Sequence, residues 1–119
     1  MSRKILVIDD DTELCEEIAE ILRDEGHSVD TAFDSTRGEE LVKTNNFDTI
    51  ILDFKLPGMN GVELLKRIKS INPKIAVFLV TGRPFIERLL EEEKLDSVVA
   101  GVMNKPFDIG LLLGKIRAL

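Results

Sequence analysis

Short runs of apolar, β-branched residues alternate with longer stretches in which apolar residues recur every three or four positions. The first run, Lys4–Ile8, ends at Asp9, Asp10 and Asp11. In the stretch TELCEEIAEILRDEG, Leu14, Ile18, Ile21 and Leu22 share one helical face, with Glu16, Glu17 and Glu20 turned outward. Asp10 or Asp11 can cap the start of this helix, and Gly26 ends it. Ser28–Ala32 predicts a weaker second strand, and Thr36–Lys43 a short helix broken by Asn45–Asn46. A third strand is expected at Thr49–Leu52, followed by a helix over Val62–Ile71 that Asn72–Pro73 stops. Ile75–Val80 predicts a fourth strand, with a helix after it from about Pro84 to Glu93. Val98–Met103 predicts the fifth strand, and Asp108–Leu119 the last helix, which Gly110 and Gly114 weaken.

Five strand–helix units in order predict one doubly wound α/β domain over residues 1–119. The first, third and fourth strands are continuous apolar runs, as expected where helices cover both faces of a parallel sheet. In such sheets sites form outside the carboxyl ends of the strands, near the point where strand order reverses. Four strand ends are rich in chemistry: Asp9–Asp10–Asp11, Asp53, Thr81 and Lys105. A single strand-end aspartate is commonplace, and Asp53 alone reads equally well as a cap. A parallel sheet, however, would bring all four ends to one edge.

Carboxylates gathered there repel one another unless a cation lies between them. A hard divalent ion with oxygen ligands, Mg²⁺, suits such a half-open cluster. Asp10 and Asp53 are the expected direct ligands, Asp9 binds directly or through water, and the Lys55 backbone carbonyl is a candidate further oxygen. Lys105 adds a positive charge and Thr81 a hydroxyl, which leaves room for a phosphoryl group. Asp53 is then the candidate nucleophile, forming an acyl phosphate. In the loop behind it, Pro57–Gly58 reads as a turn and Asn60 as a helix cap. Gly82 reads either as room above the acid or as a turn residue.

Composition narrows the partners. The chain has 119 residues, 44% of them hydrophobic and 32% charged, with a net charge of −6. An acidic domain repels phosphate backbones, so nucleic-acid binding by this chain is not expected. The single cysteine, Cys15, excludes an internal disulfide, and its place near the apolar side of the first helix predicts packing. No run is long enough for a membrane span. His27, the only histidine, is expected at the surface, and alone it makes neither a zinc site nor a triad.

The motifs ILVIDDD, IILDFKLPGMNG, LVTG and NKPF, in this order and spacing, resemble the receiver domain of two-component response regulators along the whole chain. The resemblance implies a flavodoxin-like (βα)₅ fold in the cytoplasm. It also implies Mg²⁺-dependent phosphorylation of Asp53 by a sensor histidine kinase or a phosphotransfer protein, and slow loss of the phosphate by self-catalysed hydrolysis. An effector domain or target would read the change on the face made by the fourth helix, fifth strand and fifth helix. Homodimerisation stays open. The resemblance further makes Lys105–Pro106 a candidate cis peptide, and Lys55 and Arg83 candidate modulators of phosphate lifetime.

One departure stands out. The family usually carries Tyr or Phe three residues before the lysine, and here the residue is Val102. The alternatives are a phosphate-independent adaptor, a haloacid-dehalogenase-like phosphatase and a flavin-binding flavodoxin. Glu13 breaks the dehalogenase DxDx[TV] motif, and the absence of Trp and Tyr disfavours flavin stacking. The chain is expected to be either a stand-alone regulator or a piece of a longer protein, with the helix ending at Arg117–Leu119 favouring the second.

Overall fold

The computed structural model describes residues 2–55, 61–82, 86–106 and 108–119. The expected Pro57–Gly58 turn, the Asn60 cap, Arg83 and the Pro84 helix start lie outside the described residues, as does Phe107 of the NKPF motif. The elements are β1 (Lys4–Ile8), α1 (Thr12–Asp24), β2 (Ser28–Ala32), α2 (Ser35–Thr44), β3 (Thr49–Asp53), α3 (Gly61–Ile71), β4 (Ala76–Thr81), α4 (Ile86–Glu92), β5 (Gly101–Asn104) and α5 (Ile109–Arg117). All strands are parallel, in the order β2-β1-β3-β4-β5.

The period of two along each strand sends alternate side chains to opposite faces. Leu6, Ile8, Ile50, Leu52, Val77 and Leu79 join a core roofed by α2, α3 and α4. Ile5, Val7, Ile51, Phe78, Val80 and Met103 join a second core under α1 and α5. Burial on both faces is why β1, β3 and β4 read as unbroken apolar runs. The outer strand β2 carries exposed positions at Ser28 and Asp30, and in β5 only Met103 is buried.

The helix ends follow local chemistry. Asp34 and Asp108 cap α2 and α5, each accepting from a backbone amide in the first turn. At the end of α1 the Gly26 amide donates to Arg23 O and the His27 amide to Leu22 O, with Gly26 at φ +94°. This double bond is the Schellman arrangement, and it wants glycine at the left-handed residue.

The same arrangement ends α4. Lys94 donates to Glu91 O and Leu95 to Leu90 O, while buried Leu95 joins Leu90 in the core. Here the left-handed residue is Lys94, at φ 59°. A side chain in that region is disfavoured by about 1–2 kcal/mol, partly offset by the greater entropy glycine loses on folding. Lys94→Gly is therefore expected to stabilise the fold by about 0.5–1 kcal/mol, read as a raised urea midpoint at unchanged slope.

The expected fifth strand over Val98–Met103 is corrected to Gly101–Asn104. The Val98 amide bonds Leu95 O within a turn, and the ladder to β4 begins only where the Ala100 amide meets Val77 O. Val98 and Val99 cover the core from this turn instead of extending the strand. Their β-branched character misled the pattern. His27 is half-buried rather than at the surface. Its Nδ1 accepts the Arg3 amide at 3.1 Å, and the Ser28 amide in turn reaches Arg3 O.

Candidate functional site

The strand order reverses between β1 and β3, where chains leave in opposite directions and a cleft opens. Ile8 pairs with Leu52, so the next residues, Asp9 and Asp53, stand level on adjacent strands. Asp53 pairs with Val80, which puts Thr81 one residue beyond it on β4. Thr81 pairs with Asn104, and the Lys105 amide donates to Thr81 O at 2.7 Å. Parallel register thus places Asp9, Asp53, Thr81 and Lys105 on one edge.

Asp9, Asp53 and Thr81 are buried. Each of the two buried carboxylates is used twice. Asp9 Oδ1 accepts the Asp11 amide at 2.9 Å, and Asp53 Oδ1 accepts the Lys55 amide at 3.3 Å. The remaining oxygens, Asp9 Oδ2 and Asp53 Oδ2, each lie 3.3 Å from Lys105 Nζ. Asp10 is exposed, yet one of its oxygens lies within 4.8 Å of oxygens of both Asp9 and Asp53. The Lys105–Pro106 bond is cis, as the resemblance implied.

Electrostatics follow from this crowding. Burial first, and then the Asp9 charge, push the Asp53 carboxyl up to about 6, against the pull of Lys105 and the Lys55 amide. Burial works against the Lys105 charge, but the Asp53 and Asp9 carboxylates outweigh it and hold the ammonium above its ordinary value. One ammonium balances only one of three carboxylates. The rest is a hard-oxygen donor set that suits a divalent cation such as Mg²⁺, the group such a half-open carboxylate cluster accommodates.

Sequence reasoning named five residues that the fold gathers: Asp9, Asp10, Asp53, Thr81 and Lys105. It also named Lys55, which meets Asp53 through its amide; the ligand role of its carbonyl stays an expectation. It left the α1 cap open between Asp10 and Asp11, and the structure assigns it to Asp11, whose carboxylate accepts the Leu14 amide at 3.1 Å. The Asp11 amide bond to Asp9 was missed, because a backbone donor leaves no mark on residue type. Val102 is half-buried against the α2–α4 side of the core, in register with Leu79. Cys15 is fully buried beneath the site, with Sγ 3.5 Å from Val7 O. Burial, with the Asp9 charge second, pushes its thiol up to about 11, so it packs and does not react.

A single five-stranded parallel sheet with helices on both faces and charged groups gathered at its switch point is a flavodoxin-like α/β domain. Within it, the model of the response regulator receiver domain matches residues 5–117, and the chain belongs to that family. The sporulation initiation phosphotransferase F of Bacillus subtilis is 32% identical over 109 residues, 92% of this chain and 86% of that protein. The transcriptional regulatory protein DltR of Streptococcus agalactiae is 32% identical over 114 residues, 96% of this chain but 50% of that protein. The chain spans about half the length of the first curated relatives it matches. Among solved structures, a CheY-like response regulator receiver domain protein from Methanospirillum hungatei superposes with a TM-score of 0.89 at 29% identity, covering 99% of this chain and 93% of that one. Receiver domains work in two-component systems, where they pair with histidine kinases. No described helix is long and apolar enough to cross a membrane.

Proposed function

We propose that this receiver accepts a phosphoryl group on Asp53 from a sensor histidine kinase or a phosphotransfer protein, in a Mg²⁺-dependent reaction, and loses it slowly to water. The observation that carries this reading is the Lys105 ammonium set 3.3 Å from both Asp9 Oδ2 and Asp53 Oδ2, beside the third carboxylate of Asp10. Asp9, Asp10 and Asp53 would hold the cation, which when bound neutralises the carboxylates and the oxygens of the transferring group.

The remaining chemistry belongs to the chain. Above about pH 6 the Asp53 carboxylate is mostly ionised and nucleophilic. Its oxygen bonds to phosphorus as the donor's bond to phosphorus breaks and the electron pair leaves with the donor. Lys105 supplies charge to one phosphoryl oxygen, and the Thr81 hydroxyl donates to another. The backbone bond between Lys105 and Thr81 couples these two responses. With Val102 in the aromatic position, a target or effector domain on the α4–β5–α5 face would read that coupled movement and no ring rotation. The cytoplasm is the compartment this role implies.

The test is incubation with acetyl phosphate followed by intact-mass measurement. One phosphoryl adduct is expected with Mg²⁺, and none with EDTA or in Asp53→Ala. Turnover of phosphomonoesters without adduct would indicate a hydrolase instead. Failure to accept phosphate under any condition would favour a phosphate-independent adaptor, the reading that Val102 supports.

A donor protein also needs somewhere to dock. A groove of about 510 Å³ runs beside the site, lined by Leu14, Ile18, Ile21, Pro106 and Ile109 together with Lys105. Glu17 of α1 also lines it, and Glu13, Glu20 and Asp24, exposed like Glu17, are spaced to share its helical face. Apolar walls with an acidic margin suit a donor helix with a basic edge. Glu17→Arg with Glu20→Arg is expected to slow transfer from the donor protein about tenfold or more. Labelling by acetyl phosphate, which needs no docking, should be unchanged. Equal slowing of both reactions would contradict this docking surface.

A further inference from the structure

Asp11 lies outside the three-carboxylate cluster, yet it joins the cluster to α1. Its amide donates to Asp9 Oδ1 at 2.9 Å. Its side chain accepts the Leu14 amide at 3.1 Å, and its carbonyl accepts the Cys15 amide at 2.9 Å. Its backbone is extended, at φ −77° and ψ 97°, as an N-cap requires. The two bonds into the first turn hold the Asp11 side chain and carbonyl, and through the φ and ψ of Asp11 they set how the preceding peptide, which carries the Asp11 amide, stands against α1. That amide holds one oxygen of Asp9, while the Asp9 amide is itself anchored to Ala32 O at 3.0 Å. With Oδ1 held there, the other oxygen of Asp9 lies 3.3 Å from Lys105 Nζ.

We propose that Asp11 is a positioning residue: by capping α1 it aims its amide at Asp9 and turns the second oxygen of Asp9, the one paired with Lys105, into the acidic cluster. The consequence for metal binding rests on the Mg²⁺ reading above; the orientation of Asp9 does not. A cap with no such role would contribute stability alone. Outer residues that orient metal ligands instead change affinity, commonly about 10–100-fold when replaced.

The variants are Asp11→Ala, which removes the cap, Asp11→Ser, which restores a capping oxygen without the charge, and Asp34→Ala, which removes the equivalent cap of α2. Amide hydrogen exchange at residue 11, followed by NMR in metal-free protein, reads the orientation directly. Protection is expected in the parent protein, in Asp11→Ser and in Asp34→Ala, and its loss in Asp11→Ala. Undiminished protection in Asp11→Ala overturns the proposal.

Mg²⁺ titration by calorimetry on the same proteins reads the consequence. Asp11→Ala is expected to bind about tenfold more weakly, Asp11→Ser within about threefold of the parent, and Asp34→Ala unchanged. Equal weakening in Asp11→Ala and Asp11→Ser would assign the effect to lost charge and overturn positioning. Equal weakening in Asp34→Ala would assign it to lost stability and overturn positioning as well. A parent protein that takes up no Mg²⁺ would contradict the metal reading, and the exchange result would still decide the role of Asp11.

Discussion

Asp53→Asn is expected to stabilise the metal-free protein by about 2 kcal/mol near pH 8 while abolishing its uptake of phosphate. Burial and the Asp9 charge raise the Asp53 carboxyl from 3.8 to about 6, so the folded state holds that proton more tightly than the unfolded chain does. The stability this group contributes is fully present below about pH 4 and is lost as pH rises through about 6. At roughly 1.4 kcal/mol per unit, the ionised form costs the fold on the order of 2–3 kcal/mol at neutral pH, and asparagine avoids most of it. Urea denaturation in EDTA at about pH 4 and pH 8 tests this. The two proteins should converge at the lower pH and separate at the higher one, with asparagine the more stable. An asparagine variant that is less stable at both would show that the Lys105 pairing outweighs the crowding. Adding Mg²⁺ at pH 8 should recover stability in the parent far more than in the variant.

The second large effect is expected at Lys105. Its ammonium is the one described positive charge that reaches both buried carboxylates. Lys105→Met leaves Asp9 and Asp53 facing each other without it, which raises the Asp53 carboxyl further. The rate of labelling by acetyl phosphate should fall about 100-fold, the usual consequence of removing one preorganised donor to a developing anion. The pH at which labelling reaches half its plateau should also move upward. Lys105→Arg, which keeps the charge with a different shape, should recover part of the rate and most of the profile. Intact-mass time courses from about pH 5 to pH 9 give both quantities. A methionine variant that labels at the parent rate, with an unshifted profile, would remove Lys105 from the chemistry.

Where the sequence was informative, one physical constraint converted pattern into position. Residues such as Ile50, Ile51 and Leu52 are apolar on both sides of the strand, which, with strands and helices alternating along the chain, points to a doubly covered parallel sheet. Once the strands are parallel, their carboxyl ends share an edge, and Asp9, Asp53, Thr81 and Lys105 meet without any further information. Details set by the backbone were hidden. The Asp11 amide that holds Asp9, the Lys55 amide on Asp53 and the Arg3 amide on His27 are donors that every non-proline residue carries. The left-handed Lys94 was equally hidden, because the expected signal at that position is glycine. Val98 and Val99 show the opposite failure: strong strand formers that serve a turn, because burial against the core satisfied them without a ladder.

Together these features make the site an acidic cluster held under electrostatic strain, stabilised in part by one lysine and open to a cation. The measurement that tests it most directly is the location of the phosphoryl group. Protein labelled with acetyl phosphate is reduced with borohydride, which converts an aspartyl phosphate to homoserine, and is then digested and sequenced by mass spectrometry. Homoserine at position 53 alone, formed with Mg²⁺ and absent with EDTA, is the predicted result. Homoserine at Asp9 or Asp10, or at position 53 with no dependence on the metal, would contradict the account.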